Sequence, residues 1–499
     1  MRRSAIALVF TVCVAVPTIL PTPADAQLDV EDLSDEEAEI LEEQSRLDEI
    51  IVEAGLDVAT AHDEILRLEI EGELALRDLA AAQYERTATV ESRRALAVQQ
   101  YVTGDPRIEG FIDELVQERA SVGPAIERAL YAQILDRNTA SIDRYDELID
   151  DFGEHFDDLE NRLEDRRGEL PGLEQAYDTA VSNREATDAT LAAIQLELDW
   201  ERSLLRRARL TGLDDGTDNT RPVLAVKIDN VSAARPQAGI NQADVVIEEL
   251  VEGDLTRLVG LFHSTESDPL GPIRSVRTSD VLILANLNRP LLGNSGGNPG
   301  VMAALNESPI VDVGATVAPG SAYFRNNSRS APNNLFSSTA TLWGLGAGSE
   351  AGAAPPLFSF RRPDRPPPAG AQPTSGADID YGATRVSYRW DADIGGWRRT
   401  QDGSPHLDTA GVQVAPSNVI VQVVGYHPSV VASISPEAEV VGEGEVWVFQ
   451  NGTVQVGTWS RESLESPTRY VDADGEEIEL LPGRTWIALA PPGTATLVG

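Results

Sequence analysis

Apolar residues recur through the first third of the chain at alternating intervals of four and three: Leu47, Ile51, Ala54, Val58, Ala61, Ile65, Leu68, Gly72, Ala75 and Leu79. That spacing lays one apolar stripe along a helix and, held over several heptads, makes a coiled-coil seam. Ser34 and Glu37, with Leu33 ahead of them, have the form of a capping box with a hydrophobic staple and predict the helix start. Gly104-Asp105-Pro106 predicts its end, near Tyr101. Such an arm is about 100 Å long at ~1.5 Å per residue. A second stripe runs Ile142, Tyr145, Ile149, Phe152, Phe156, Leu159, Leu163, Leu170, Leu173, Tyr177 and resumes at Leu191, Ile194, Leu198 and Leu205. Its register survives Pro171, which predicts a kink rather than an end. Residues 107–137 read as shorter helices near the tip. Two arms of similar length predict a long antiparallel α-helical coiled-coil hairpin; a parallel coil shared by two chains satisfies the same pattern.

The period changes at Pro222. PVLAVKID, DVVIEEL and TRLVGLFH are apolar runs of strand length, while SDVLILANL and the stretch after Asn298-Pro299 read as helices. This alternation predicts an α/β domain over 221–350. Residues 351–383 form a Pro/Gly-rich connection. Residues 384–495 are mostly strand and predict a small, mainly-β domain. Its clearest element is VWVFQ-NG-TVQVGTW, whose Asn451-Gly452 pair suits a type I′ hairpin turn. Glu477–Leu480 and Thr485–Leu489 read as further strands. The expected organisation is multidomain: signal peptide 1–26, acidic coiled coil 27–210, linker 211–220, then these two domains.

Charge narrows the range of partners. The net charge is −41, and residues 27–210 alone hold 47 Asp and Glu against 19 Arg. So acidic a chain lacks the positive footprint that nucleic acid demands, and it has no general attraction to anionic lipid. Lys227 is the sole lysine, and the sole cysteine, Cys13, falls in the N-terminal segment. Met1-Arg2-Arg3, the apolar run Ala5–Leu20 and Ala24-Asp25-Ala26 have the layout of a cleaved secretory signal, which places the mature start at Gln27. The expected location is therefore secreted, in the cell envelope or outside the cell, and peripheral to the membrane at most.

The segment RRALAVQQYVTG at 93–104 is similar to the N-terminal coiled coils of secreted peptidoglycan hydrolases and their activators. The globular part resembles the YerB-like family of bacterial envelope proteins, a domain of unknown function. The resemblance is carried by AVKIDN (225–230), ARPQAGINQADVVIEELVEG (234–253), TRLVGLFHS (256–264), GPIRSVR (271–277), SGGNPG (295–300) and APNNLFSST (331–339). It continues through GSPHLD (403–408), NVIVQ (418–422), GTWSR (457–461) and PGRTW (482–486). The resemblance implies an N-terminal α/β domain and a smaller C-terminal one, and it implies no reaction. The chain departs from the pattern in having no lipoprotein acylation motif, in its coiled coil, and in carrying Asn333 where a His is expected.

The candidate chemistry is anion binding. Arg274 and Arg277 flank Ser275 just before a predicted helix start at Thr278, and guanidinium forks beside backbone N–H groups make a seat for phosphate or carboxylate. Lys227, Asp229, Arg235 and Arg257 come from neighbouring motifs and complete the candidate set. The alternative is that these cations pair internally with Asp229, Glu248, Glu249 and Glu252. Glu248 and Glu249, adjacent in a strand, are expected on opposite faces and so cannot share one site. His263, His406 and Asp408 are a weak ligand set for zinc, and neither a metal nor a cofactor is expected. No catalytic residue is identified. The expected function is binding of an anionic cell-wall ligand, with the coiled coil docking an envelope protein or spacing the module. An enzyme acting on envelope glycans or phosphodiester links, and a non-catalytic scaffold regulating peptidoglycan hydrolases, are the alternatives.

Overall fold

The structure is a computed structural model that describes residues 30–103 and 123–499. The signal-peptide motif, and the part of the expected tip before Gly123, lie outside the described residues. The chain divides into a helical unit, Ser34–Gln195, and a sheet-rich unit containing Leu196–Gly499.

Two helices account for the helical unit: α1 (Val30–Thr103) and α2 (Gly123–Leu204). The seam positions are its inward face. Leu47, Ala61, Leu68, Ala75, Ile142 and Leu159 are buried, and Leu68, Ala75 and Leu159 pack together with Phe156 and Leu163. Gln44 reaches Asp188 at 2.6 Å, Asp48 reaches Arg184 at 2.8 Å and Glu64 reaches Arg166 at 3.0 Å. Partners thus descend along α2 as they ascend along α1. Three details differ from the sequence reading. Ser34 is already inside α1, with Glu37 accepting from Gln195 at 3.1 Å, so the capping-box motif does not mark the start. Residues 123–137 continue into α2 without a break. Leu205, counted on the stripe, lies past the helix end and is 75% exposed.

An 11-stranded mixed sheet organises the other unit. Three strands matter most: β1 (Leu224–Asp229), β2 (Val245–Val251) and β3 (Leu255–Phe262). β3 pairs antiparallel with both β1 and β2, and the far edge of β2 pairs parallel with Thr485–Ala490. That pairing joins strands of 221–350 and of 384–495 in one sheet. Central strands covered on both faces are apolar nearly throughout, which is why LAVKID and TWIALA are buried at every position. Alternation divides their side chains between two cores. One holds Ala225, Val245, Ile247 and Val259 against α3 (Thr278–Leu284) and α4 (Pro299–Glu307). The other holds Val226, Val246 and Leu258 against Tyr388 and Trp397 of a five-stranded sheet built from residues 376–405 and 495–498. Asn451 and Gly452 have φ of 45° and 74°, the two positive values a type I′ turn requires. The expected Pro/Gly-rich connection contributes two strands, Gln372–Pro373 and Gly376–Asp380, so the strand-rich region begins before residue 384, while Glu477–Leu480 makes only isolated bridges.

Candidate functional site

Strand register builds the site. Asp229 of β1 lies opposite Arg257 of β3, and Arg257 lies opposite Glu249 of β2. The row faces α3, and Lys227 joins it from two residues upstream of Asp229. Lys227 is fully buried; its Nζ donates to Asp280 at 2.7 Å and to Glu249. Burial, together with the nearby Asp280 charge, pushes the Glu249 carboxyl up to about 7 even though Lys227 opposes the shift. Asp280 also accepts the Arg277 backbone N–H at 2.6 Å. The start of α3, expected to present free N–H groups behind the arginines, is thus partly satisfied by its own third residue.

Toward the surface, Arg274 Nε lies 2.9 Å from Asp229 Oδ2, and Asn333 donates to the same carboxylate. Arg277 grips Glu252 with two bonds, 2.6 and 3.1 Å, and Ser435 donates to Glu252 as well. Burial works against the charged form of Glu252, yet the bonds from Arg277 and Ser435 hold its carboxyl at about 2. Arg257 has no carboxylate that close, and Arg274 Nε, though 2.9 Å from Asp229, also makes no hydrogen bond. The Arg257 side chain is 10% exposed, and it stands 3.9 Å from Asp229 and 4.0 Å from Glu252, too far for direct hydrogen bonds. Its Nε and Nη1 have no partner. Burial and the neighbouring charge of Arg277 both disfavour its protonated form.

Of the seven residues singled out in the sequence, Lys227, Asp229, Arg257, Arg274 and Arg277 share one ionic cluster. Half-buried Ser275 sits at its rim, with Oγ 3.4 Å from Ser295 Oγ. Arg235 bonds Asp402 at 2.9 Å instead. Asp280 and Ser435 were missed. Asp280 carries a legible signal, since an acidic residue three after Arg277 at a helix start has the spacing of a capping residue. Ser435, more than 150 residues away in sequence, carries none. Lys227, Arg257, Arg274 and Arg277 face Asp229, Glu249, Glu252 and Asp280. The four cations thus face four carboxylates, and burial favours the protonated form of Glu249.

The opposite face of β2 is built differently. Glu248 accepts two bonds from Arg399, at 2.8 and 2.9 Å, and further bonds from Thr256, Asn230 and Trp486. Both residues of the pair are fully buried. The two adjacent glutamates thus occupy opposite faces, as strand alternation requires. His406 is buried between Arg399 and Gln237, and burial holds its pKa well below the usual value. His263 belongs to another neighbourhood, beside Asp244 and Arg221. Among the described residues no group of three His, Cys, Asp or Glu is placed to hold a metal ion. No helix among them is long and apolar enough to cross a membrane.

A mixed sheet with a buried ionic cluster on one face of β2 and a buried Glu248–Arg399 pair on the other defines a two-part α/β protein. Residues 210–352 match the model described as "Protein of unknown function (DUF3048) N-terminal domain", and residues 377–487 match its C-terminal domain. The chain belongs to this YerB-like family. It is 29% identical over 299 residues to "Putative lipoprotein YerB" of Bacillus subtilis (strain 168), covering 57% of this chain and 86% of that one. The crystal structure of the YerB protein from Bacillus subtilis superposes with a TM-score of 0.53 at 25% identity, covering 59% of this chain and 99% of that one.

Proposed function

We propose that this is a cell-envelope protein whose sheet-rich unit binds an anionic cell-wall ligand, of the polymer-phosphate class, at the outer side of the Arg257–Arg274–Arg277 cluster. The observation that carries the reading is Arg257: a nearly buried guanidinium with two unpartnered donors beside two other guanidiniums. An unpaired buried donor is costly, and an added oxyanion would satisfy it while relieving the repulsion. Arg274 and Arg277 stay partly exposed, at 21% and 16%, and form the entrance.

The helical unit is read as an antiparallel coiled-coil hairpin that spaces the module or docks an envelope protein. The opposed ladder of ion pairs and one amide–carboxylate bond between α1 and α2 supports this. The signal-like first 26 residues, and a relative named as a lipoprotein, support the envelope location. The enzymatic alternative has a raised carboxyl in Glu249, but that side chain is fully buried and held by Lys227.

Titration calorimetry with poly(glycerol phosphate) and with inorganic phosphate tests the binding. The wild-type chain should bind, and Arg274→Gln combined with Arg277→Gln should weaken binding at least about tenfold with the fold intact by circular dichroism. Equal binding by the two proteins would assign the arginines to structure alone.

A further inference from the structure

The loop between the short strands Tyr426–Pro428 and Pro436–Ala438 spends apolar surface on solvent. Val430 and Ile434 are 94% and 83% exposed, the two highest values among large apolar side chains of the described residues, and Val431 between them is 45% exposed. The loop is nonetheless firmly built. Ser429 and Ser435 at its two ends are buried, and the Ser429 N–H donates to the Ser435 carbonyl at 2.9 Å. The Ser435 N–H donates to the Ala432 carbonyl at 2.7 Å.

The anchors of this loop touch residues that adjoin the proposed anion site. Ser435 donates to Glu252, the carboxylate that holds Arg277, and Ser429 Oγ lies 3.0 Å from Thr278 Oγ1 at the next residue. The backbone of Gly300, at the start of α4, packs directly under Val431. An aliphatic tip therefore stands beside a cluster of partly exposed guanidiniums. The tip is Val, Val and Ile, without the Trp, Tyr or Arg that anchor protein interfaces. Aliphatic side chains next to cations match the layered chemistry of a lipid surface, acyl chains below and phosphates above.

We infer that the 429–435 loop is a lipid-docking tip, and that the anion taken by the arginine cluster is the phosphate of a membrane-borne amphiphile. Val430 and Ile434 enter the acyl boundary while Arg277 and Arg274 meet the headgroup phosphate. This deepens the proposed function and rests on its anion site. The chain's strong overall acidity makes the contact local, so it depends on apolar insertion as well as charge.

The test uses the chain from Gln27 onward, which contains every described residue and omits the apolar leader. Three proteins are compared: wild type, Val430→Ser with Ile434→Ser, and Arg274→Gln with Arg277→Gln. Each is sedimented with vesicles of phosphatidylcholine alone and of a one-to-one mixture with phosphatidylglycerol, and each is titrated with poly(glycerol phosphate). Wild type should favour the mixed vesicles. The loop variant should lose roughly tenfold or more in vesicle binding while keeping its affinity for the soluble polymer. The arginine variant should lose both. If the loop variant binds mixed vesicles as wild type does, or if wild type binds the polymer but no vesicle, the docking tip is overturned and the anion site stands. If wild type binds neither, both readings fall. In an Ile434→Trp variant, fluorescence that does not shift to the blue on adding mixed vesicles also overturns the tip.

Discussion

Glu249 offers a quantitative test of how the cluster is balanced. Its carboxyl is fully buried, and burial together with Asp280 raises its pKa from 4.5 to about 7. Between those values the folded chain keeps a proton that the unfolded chain has released. Stability therefore falls as pH rises through this window. At about 1.36 kcal/mol per unit, the loss from pH 4.5 to pH 8 is about 3 kcal/mol. His263 runs the other way. Burial lowers its pKa to about 4, so the unfolded chain takes the extra proton between about 4 and 6.5, and stability from this group rises with pH. The two slopes overlap, and the wild-type profile alone would hide both. Glu249→Gln isolates the first: the amide still accepts from Lys227 and has no proton to lose. Urea unfolding followed by tryptophan fluorescence reads the right unit, because all seven tryptophans lie beyond residue 195. The variant should gain on wild type by about 3 kcal/mol between pH 4.5 and pH 8. A gap that stays constant, or closes with rising pH, would refute the claim that burial governs this carboxyl.

Arg399→Met leaves Glu248 charged, buried and unpaired, and should cost about 3–5 kcal/mol in the same urea assay, with most of it recovered when Glu248→Gln is added. Glu252→Gln releases one grip on Arg277; affinity for poly(glycerol phosphate) should rise, and the stability that wild type loses as pH falls from about 4.5 toward 2 should no longer be lost, by titration calorimetry and acid unfolding. Leu159→Ala removes a side chain that is 1% exposed in the helical core and should cost about 2–4 kcal/mol, seen by circular dichroism at the helix minimum with no change in tryptophan emission.

What the sequence revealed follows from how local each signal is. The stripes of α1 and α2 were legible because one element repeats its spacing over many turns, and nearly every seam position is buried or half-buried. The start of α1 was not, because the Ser34–Glu37 pattern is also compatible with a helix interior and helix ends are settled by their surroundings. The parallel pairing of β2 with Thr485–Ala490 joins residues some 240 positions apart and leaves no trace in either segment. In the site, the arginines and their carboxylates could be named but not matched. Arg399 was not singled out, since RRTQ at 398–401 is polar at every position; alternation turns Arg399 and Gln401 inward with Trp397, while Arg398 and Thr400 stay half-buried.

The two faces of β2 pose the same problem and resolve it differently, and the difference favours the Glu249 face for the proposed anion site. Burying an ion pair is seldom more stable than burying apolar residues of the same volume, so stability does not account for placing Glu248 and Glu249 side by side. On the Glu248 face the carboxylate is saturated: Arg399 holds both oxygens, and Thr256, Asn230 and Trp486 add bonds. Such a pair stitches the 384–495 segment to β2 and leaves nothing for a ligand to do. On the Glu249 face the series runs outward from Lys227 through Arg257 to Arg274 and Arg277, and it is incomplete at Arg257, at Arg274 Nε and at Glu249 Oε2. An incomplete network that reaches the surface leaves donors open to an added anion, as the proposed function requires. The saturated face holds its side of the strand in place, so an oxyanion bound as proposed would meet donors already positioned and need not order them on binding.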